Sequence, residues 1–264
     1  MNNTLTSPPS VLSERLAAIR DYWETFLHDQ EMSEAPVGSP RWFEELAAYR
    51  YEKLDYLPRV VDFNACAGKR LLEVGCGIGL DLARFARGGA EVTGVDLSPR
   101  AVALAKAYLA QQGLPGESIE MNGEAMAFPD ESFDVVYAHG VVQYTDQPAR
   151  LVSELYRVLR RGGTAIVMLY HTDSWLPWLV RVTKVSLEHA DAPVVRTFTR
   201  QEARELLRDF RTVRIVPERF PVATKLHHGW KAAVYNRVMV PMFHALPKGL
   251  TRRWGWHLMI WAVK

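Results

Sequence analysis

Strand-like and helix-like segments alternate along the middle of this chain, and this alternation constrains its fold more than any other feature. Short apolar runs with strand character lie at 70–75, 92–96, 118–122, 132–140 and 163–170. Amphipathic helical segments separate them at 80–89, 98–112 and 149–159. Strands that alternate with helices pair in parallel, because each helix carries the chain back along the sheet. The middle of the chain therefore predicts an α/β fold with a Rossmann-like, mostly parallel sheet and helices on both faces.

Two further strands extend this sheet toward the C-terminus. A helix at 199–210 precedes a strand at 212–216, and the last strand spans 256–263. The residues between these two strands read as mostly helical, so the strands can pair with an insertion between them. We therefore predict seven strands, with the last one antiparallel and a helical insertion before it.

The N-terminal part reads as a tail followed by two aromatic helices. Residues 1–10 are polar and contain two prolines, which predicts disorder. Apolar residues recur every three or four positions at 11–26 and again at 41–57, which predicts two amphipathic helices. We accordingly divide the chain into a disordered tail at 1–10, N-terminal helices at 11–68 and one domain at 69–264.

A glycine-rich turn follows the first strand of the sheet and carries the strongest functional signal. Gly75, Gly77 and Gly79 stand at alternate positions shortly after Glu73. Glycines let the backbone approach a ligand closely, and free N–H groups at a helix start favour a negatively charged group. Asp96 ends the next strand 21 residues after Gly75, where a carboxylate can accept hydrogen bonds from ribose hydroxyls. Together these residues predict a site for a nucleotide-type cofactor.

Dinucleotides are one class of cofactor that binds to this geometry, but they are not the only one. Dinucleotide sites prefer a third glycine five positions after the first, but Leu80 stands there and Gly79 precedes it. This departure argues against NAD(P). A nicotinamide-dependent oxidoreductase and a non-catalytic cofactor-binding protein stay open as alternatives.

Four stretches of the chain carry motifs that follow one another in a recognisable order. They are LLEVGCGIG at 71–79, VTGVDLSPRAV at 92–102, NGEAMAFPDESFDVVYAHGVVQY at 122–144 and LYRVLRRGGTAIV at 155–167. In these stretches the chain resembles the class I S-adenosylmethionine-dependent methyltransferases, in the small-molecule branch that includes the ubiquinone and menaquinone enzymes. The resemblance implies methyl transfer from S-adenosylmethionine to an oxygen, nitrogen or activated carbon of a small molecule, with S-adenosylhomocysteine as the second product.

The resemblance also assigns residues to the methionine part of the cofactor. It implies that this part lies against the loop residues Gly75, Cys76, Gly77 and Gly79. It implies that Glu73 orients this loop. In the family, segments before the loop often close over the cofactor, so Arg50 is expected near the cofactor carboxylate. Packing onto the sheet is the expected role for most aromatic residues of the N-terminal helices.

For the nucleoside part, the resemblance implies that Asp96 holds the ribose hydroxyls and that Leu97 lies along the adenine. Asn122, Gly123 and Glu124 correspond to a segment where the family commonly has an Asp that contacts the adenine amino group. Asn122 departs from that pattern. Its amide oxygen can still accept the hydrogen bond, so we expect weaker adenine binding rather than its loss.

Methyl transfer depends first on positioning the acceptor and excluding water, and a base is needed only if the acceptor must lose a proton. The candidates for that base are His139, which the resemblance places beside the sulfonium, and His171, which follows a later strand. Both lie at carboxyl ends of strands, where open α/β sheets bind ligands. A hydrogen-bonded structural histidine is the alternative at each position. Tyr144 is a third candidate, expected to form a wall of the site rather than to act as an acid.

The cysteines and histidines predict neither disulfides nor a metal site. Cys66 and Cys76 cannot form a disulfide framework, and Cys76 suits the close-packed loop as a small residue. The histidines and cysteines do not fall into a metal-ligand spacing. The start of the chain lacks the layout of a secretory signal, and no run of 18 apolar residues occurs. We therefore expect a cytoplasmic protein.

Charge is distributed unevenly along the chain. The net charge is +2, yet residues 211–264 hold ten Lys or Arg and one acid, which gives +9 there and −7 in the rest. The stretch 221–253 combines cations with Trp230, Tyr235 and Phe243, and we expect a basic cap. It could cover an anionic or lipid-like acceptor, contact a membrane surface, or be a solvated basic face. No nucleic acid is expected, because the Asn/Asp-Pro-Pro-aromatic signature of base-amino methyltransferases is absent.

Overall fold

The computed structural model describes residues 14–183, 189–223, 229–247 and 251–264. The predicted disordered tail at 1–10 lies outside the described residues. So do two parts of the predicted basic cap, at 224–228 and 248–250.

The described residues form a seven-stranded sheet in the order β3-β2-β1-β4-β5-β7-β6. The strands are β1 Arg70–Val74, β2 Glu91–Asp96, β3 Glu117–Glu120, β4 Phe133–His139, β5 Leu159–Tyr170, β6 Thr212–Glu218 and β7 His257–Val263. Neighbouring strands among the first five pair in parallel, and β7 lies antiparallel between β5 and β6. The predicted Rossmann-like, mostly parallel sheet with an antiparallel last strand is confirmed.

Helices cover both faces of this sheet. They are α1 Glu14–Thr25, α2 Pro40–Lys53, α3 Leu57–Val60, α4 Leu80–Arg87, α5 Pro99–Gln111, α6 Pro148–Val158, α7 Trp175–Thr183, α8 Arg200–Leu206, α9 Trp230–Val234 and α10 Val240–Ala245. Side chains alternate between faces along each strand, so neighbouring residues enter different cores. Leu71 and Tyr137 belong to the core under the N-terminal helices, whereas Leu72 and Val136 belong to the core that contains residues of α6 and α8.

The second N-terminal helix packs firmly against the domain. Trp42, Phe43 and Leu46 of α2 are buried, because apolar residues at this spacing form one helix face. The Phe43 ring stacks on Tyr108 of α5 with 4.6 Å between centroids. These aromatic side chains therefore attach α2 to the sheet layer.

Strand β5 is longer than its apolar run, which begins only at residue 163. Leu159 pairs with Phe133, and the register resumes at Thr164, which pairs with Val135. The residues between, Arg160–Gly163, form an irregular stretch of the strand. They are polar residues and glycines, so a prediction based on apolar residues does not recognise them as part of the strand.

A helical insertion joins β6 to β7, as the sequence predicts. Its described part contains α9, a π-helical turn at Tyr235–Met239 and α10. No helix in the described parts of the chain is long and apolar enough to cross a membrane.

Candidate functional site

A pocket opens at the carboxyl ends of the parallel strands, the edge where open α/β sheets bind ligands. Most of the predicted site residues line it, namely Arg50, Glu73, Gly75, Cys76, Gly77, Asp96, Leu97, Asn122, Gly123, Glu124, His139 and Tyr144. Gly79 and His171 lie outside its lining.

The glycine loop leaves the backbone bare beneath this pocket. Gly75, Gly77 and Gly79 have φ of +67°, +52° and +81°, a region that L side chains rarely adopt. A Cβ at Gly75 would lie 2.3 Å from the Val141 side chain, whereas one at Gly77 would project into open space. Gly79 precedes α4 in the left-handed conformation, close to Ala105. The loop therefore forms a cradle that side chains would distort or fill.

Asp96 fastens this loop to the next strand. Its carboxylate accepts hydrogen bonds from the Gly77 N–H at 2.9 Å and from the Ser98 N–H at 3.0 Å. Burial raises the pKa of Asp96, although these backbone donors oppose the rise. A carboxylate has about four acceptor positions, so Asp96 keeps acceptor capacity beyond these two bonds.

Glu73 brings a carboxyl oxygen without a partner to the same loop. The side chain is buried, and Oε2 has no hydrogen-bond partner among the described residues. Burial raises the pKa of Glu73 well above its usual range, and the neighbouring Asp81 adds to the rise. Because buried polar atoms in proteins are almost always paired, this oxygen marks a place for a hydrogen-bond donor from a ligand.

Asp81 organises the wall beside Glu73. Arg50 holds its carboxylate with two nitrogens, Nε at 2.9 Å and Nη2 at 2.5 Å. The hydroxyls of Tyr51 and Tyr137 each donate to it at 2.9 Å. Burial opposes its ionisation, but the Arg50 charge and hydrogen bonds outweigh that effect and lower the pKa of Asp81 to about 2. Asp81 thus joins α2, α4 and β4 in one ionic cluster.

Arg50 lines the pocket, and the sequence did not predict its main partner, Asp81. Its Nη1 has no partner among the described residues. The sequence did not single out Asp81 because acidic residues are common in the first turn of a helix. They stabilise the helix dipole there, so their presence alone does not indicate a functional site. The position of Asp81 directly after the glycine loop was the available signal.

Next to this ionic cluster, four side chains form a continuous series of hydrogen bonds that begins at His139, whose ring stacks on Tyr137. His139 Nε2 lies 3.1 Å from the Tyr56 hydroxyl, which lies 2.5 Å from His257 Nδ1. His257 Nε2 in turn lies 3.0 Å from Nη1 of Arg219. His139, His257 and Arg219 line the pocket, and Tyr56 is fully buried behind them. The sequence pointed only to His139.

The cation at one end fixes the direction of these hydrogen bonds. A guanidinium only donates, so His257 Nε2 accepts from Arg219 and its proton sits on Nδ1. That proton is donated to the Tyr56 oxygen, and Tyr56 then donates to His139 Nε2, a better acceptor than the Met259 sulfur at 3.9 Å. The His139 proton therefore resides on Nδ1. Burial lowers the pKa of His139 to about 3, and the Arg50 charge adds to this effect, so the ring is neutral.

Asn122, Glu124 and Thr145 hold one another in place. The Asn122 Oδ1 accepts a hydrogen bond from the Glu124 N–H at 2.9 Å. The Glu124 carboxylate accepts from the Thr145 hydroxyl and from the Gln147 N–H. Asn122 therefore already uses one of the two lone pairs on the oxygen that the sequence assigned to the adenine.

Aromatic side chains close the pocket above the strands. The Tyr144 hydroxyl lies 2.9 Å from that of Tyr170, and Trp23 of α1 meets the Tyr144 ring edge-on at 5.0 Å between centroids. Glu24 of α1 accepts from the Ser98 hydroxyl at 2.6 Å, next to Asp96. Helix α1 therefore forms a roof over the pocket that is attached next to Asp96.

Two further candidate residues, His171 and Cys76, have hydrogen-bond partners within the protein. His171 is buried, and its Nδ1 lies 2.9 Å from the Gly255 carbonyl oxygen. Cys76 lies with its Sγ 3.6 Å from the Ser118 hydroxyl, and burial raises the pKa of its thiol well above the usual range. Cys66 and Cys76 are both free and buried. Across the described residues, no group of three His, Cys, Asp or Glu side chains could hold a metal ion.

Comparison with known proteins relates the glycine loop and its sheet to one family. The family model described as a methyltransferase domain matches residues 72–167. A phosphatidylethanolamine N-methyltransferase from Cereibacter sphaeroides is 40% identical over 38% of this chain and 50% of its own length. A ubiquinone biosynthesis O-methyltransferase from Alkalilimnicola ehrlichii is 30% identical over 53% of this chain and 59% of its own length. The matches thus span about half the length of these curated relatives.

Solved structures share the fold over most of the chain. Magnesium protoporphyrin IX methyltransferase from Synechocystis PCC 6803, solved with bound S-adenosylhomocysteine, has a TM-score of 0.62 and 14% identity, covering 94% of this chain and 99% of its own. A possible histamine N-methyltransferase from Thermotoga maritima has a TM-score of 0.59 and 22% identity, covering 93% and 99%. At these identities the likeness concerns the fold alone.

Proposed function

We propose that this chain, which belongs to the class I S-adenosylmethionine-dependent methyltransferases, transfers a methyl group from S-adenosylmethionine to an acidic hydroxyl of a small molecule. One observation carries the proposal. One pocket is lined by the glycine loop, the unpartnered oxygen of Glu73 and the carboxylate of Asp96. His139 lines the same pocket, and the series of hydrogen-bonded side chains from Arg219 ends there.

The residues present fit S-adenosylmethionine. When bound, this cofactor supplies an electrophilic methyl carbon attached to a sulfonium. Glu73 Oε2 would accept a hydrogen bond from its ammonium group, which satisfies the buried oxygen. Asp96 would accept from the ribose hydroxyls, while Leu97 and Asn122 would flank the adenine. Arg50 would offer Nη1 to the cofactor carboxylate.

His139 would act on the acceptor as a hydrogen-bond donor. Its proton is on Nδ1, and a pKa near 3 makes the ring a poor base at neutral pH. A neutral N–H donor stabilises an acceptor oxygen that already carries negative charge, and the Arg219 cation at the far end of the series of hydrogen bonds strengthens that effect. This arrangement favours a hydroxyl acidic enough to ionise without a protein base. Tyr144, Tyr170 and Trp23 would provide the aromatic wall, and His171 has no part in this proposal.

The proposal gives each part of the chain a role. Helices α1 and α2 would form a roof over the pocket, which Trp23 and Arg50 line. The domain at 69–264 would hold the cofactor and the acceptor, and the basic cap follows Arg219 in the sequence.

A panel of phenols tests the reaction. Release of S-adenosylhomocysteine is measured with phenols of graded acidity and with matched anilines and thiols. We expect turnover with the more acidic phenols, and the rate should fall as the phenol pKa rises above the assay pH. Preference for anilines, or turnover that is independent of phenol acidity, would contradict the proposed acceptor class. Binding of the cofactor without turnover on any acceptor would favour the non-catalytic alternative.

A further inference from the structure

The helical insertion between β6 and β7 presents apolar side chains to solvent at every fourth residue. They are Trp230, Val234, Val238, Met242 and Leu246, each between 41% and 75% exposed. A surface helix of a globular protein normally turns such a stripe toward the core. Here the stripe faces outward along the whole described length of the insertion.

A neighbouring face of this helix is the one attached to the protein. The Tyr235 ring stacks on Trp175 of α7, and the Phe243 ring packs against Phe220. His244 Nε2 lies 2.9 Å from the Pro221 carbonyl oxygen. The outward direction of the stripe is therefore set by specific contacts on that neighbouring face.

The π-helical turn at Tyr235–Met239 keeps the stripe in line. On a regular α-helix, residues four apart drift around the axis by about 40° at each step. A π turn closes its hydrogen bonds over five residues, so the chain rotates less per residue there and this drift is offset. The helix thus holds the five apolar side chains on one side.

Two more exposed tryptophans lie on α7, which contacts this helix, and on the segment before β7, which contacts α7. Trp178 follows Trp175 by one turn on α7. The backbone N–H of Trp175 donates to the backbone carbonyl oxygen of Trp254 at 3.1 Å. Trp175 also stacks on Tyr235, so it joins all three elements. We call the five stripe residues with Trp178 and Trp254 the apolar patch.

Cations accompany the apolar patch, and the acid nearest to the insertion in sequence, Glu218, interacts electrostatically with one of them, Arg252. Arg181, Arg237, Arg252 and Arg253 are exposed, and no ion pair joins them to an acidic side chain in the described chain. The sequence contains no Asp or Glu from residue 219 to residue 264. Tryptophan and arginine together suit the boundary between lipid headgroups and acyl chains, because each combines an apolar body with a polar end.

We propose that the apolar patch binds the surface of an anionic lipid membrane, with the insertion helix lying in the plane of the headgroups. The cations attract the anionic headgroups, and the exposed apolar side chains enter the boundary below them. This binding is independent of the proposed reaction. It also places the membrane beside the pocket, because Arg219 lines the pocket and the next two residues, Phe220 and Pro221, hold the helix.

Vesicle binding by the full chain tests this proposal. Co-sedimentation is measured with vesicles of phosphatidylcholine alone and of equal parts phosphatidylcholine and phosphatidylglycerol. We expect about tenfold tighter binding to the anionic vesicles, weakened by salt, with a blue shift of tryptophan emission. Absence of binding to the anionic vesicles, or equal binding to both, would overturn the proposal.

Matched variants distinguish vesicle binding through the apolar patch from nonspecific hydrophobic adsorption. The triple variant Val234→Gln, Val238→Gln, Met242→Gln should lower anionic vesicle binding about tenfold or more, while Val37→Gln, at an exposed apolar residue elsewhere, should not. The pair Arg252→Gln, Arg253→Gln should weaken binding, whereas Arg161→Gln, Arg208→Gln should leave it unchanged. Thermal unfolding confirms that each variant is folded.

The alternative to a membrane is a second copy of this protein that covers the apolar patch. Analytical ultracentrifugation that finds a dimer in the wild type and a monomer in the triple variant would overturn the membrane proposal. Cofactor binding is measured on the same preparations. Vesicle binding without cofactor binding would refute the proposed function alone, and cofactor binding without vesicle binding would refute the membrane proposal alone.

Discussion

Replacing Asp96 with alanine removes the carboxylate that we assign to the ribose hydroxyls. A hydrogen bond to a charged group contributes about 1.5–3 kcal/mol, and about 1.4 kcal/mol corresponds to a tenfold change in affinity. Loss of even one such bond therefore predicts at least about tenfold weaker binding of S-adenosylhomocysteine. Titration calorimetry of the wild type and of Asp96→Ala measures this difference.

Asp96 also has a structural role, and the experiment must separate the two. Its carboxylate accepts from the N–H groups of Gly77 and Ser98, so Asp96→Ala should also lower the thermal unfolding temperature. Asp96→Asn keeps one acceptor oxygen, so its affinity should fall between those of the wild type and Asp96→Ala. Asp209→Ala, at an exposed acid outside the pocket, serves as the control. A folded Asp96→Ala protein that binds S-adenosylhomocysteine as tightly as the wild type would refute the assignment.

Four further predictions concern the walls of the pocket. Asp81→Ala leaves the Arg50 charge without its partner, so the free energy of unfolding in urea should fall by about 3–5 kcal/mol; a loss below about 1 kcal/mol would contradict the ionic cluster. Burial lowers the pKa of His257 well below its usual range, so the unfolded state binds more protons, and this residue should lower stability as the pH falls through the usual pKa of a histidine; His257→Gln should make the free energy of unfolding less dependent on pH there, and an unchanged dependence would count against this prediction. Arg219→Met removes the cation that sets the direction of the hydrogen bonds between His257 and His139. The kcat/KM for an acidic phenol should therefore fall about tenfold, with partial recovery in Arg219→Lys, while the affinity for S-adenosylhomocysteine stays the same. Equal losses of kcat/KM and of this affinity would indicate that Arg219 contacts the cofactor instead. Cys76 is buried with a raised thiol pKa, so iodoacetamide should leave the folded protein active; inactivation that Cys76→Ala prevents would contradict this.

The parts of the fold that the sequence predicts are those whose signal is local. Strands such as β1 and β4 are mostly apolar because they are buried on both faces. The glycine loop and Asp96 lie within one βαβ unit, so their spacing alone brings them together. The missed start of β5 at Leu159 has the opposite cause, because Arg160–Gly163 join the strand without any apolar pattern.

The series of hydrogen-bonded side chains could not be predicted, because its members are far apart in sequence. Tyr56 is separated from His139 by 83 positions and from His257 by 201. His257 opens an apolar run, so the pattern describes it as a strand residue, and Tyr56 sits in a helical region rich in aromatics. Only the sheet order, which places β7 next to β5, brings these groups to one pocket.

Titration calorimetry of the purified chain with S-adenosylhomocysteine, with NADH as the comparison ligand, tests the central claim most directly. The account predicts one S-adenosylhomocysteine site per chain and no heat with NADH. No heat with S-adenosylhomocysteine at millimolar concentration, or saturable binding of NADH in its place, would contradict it.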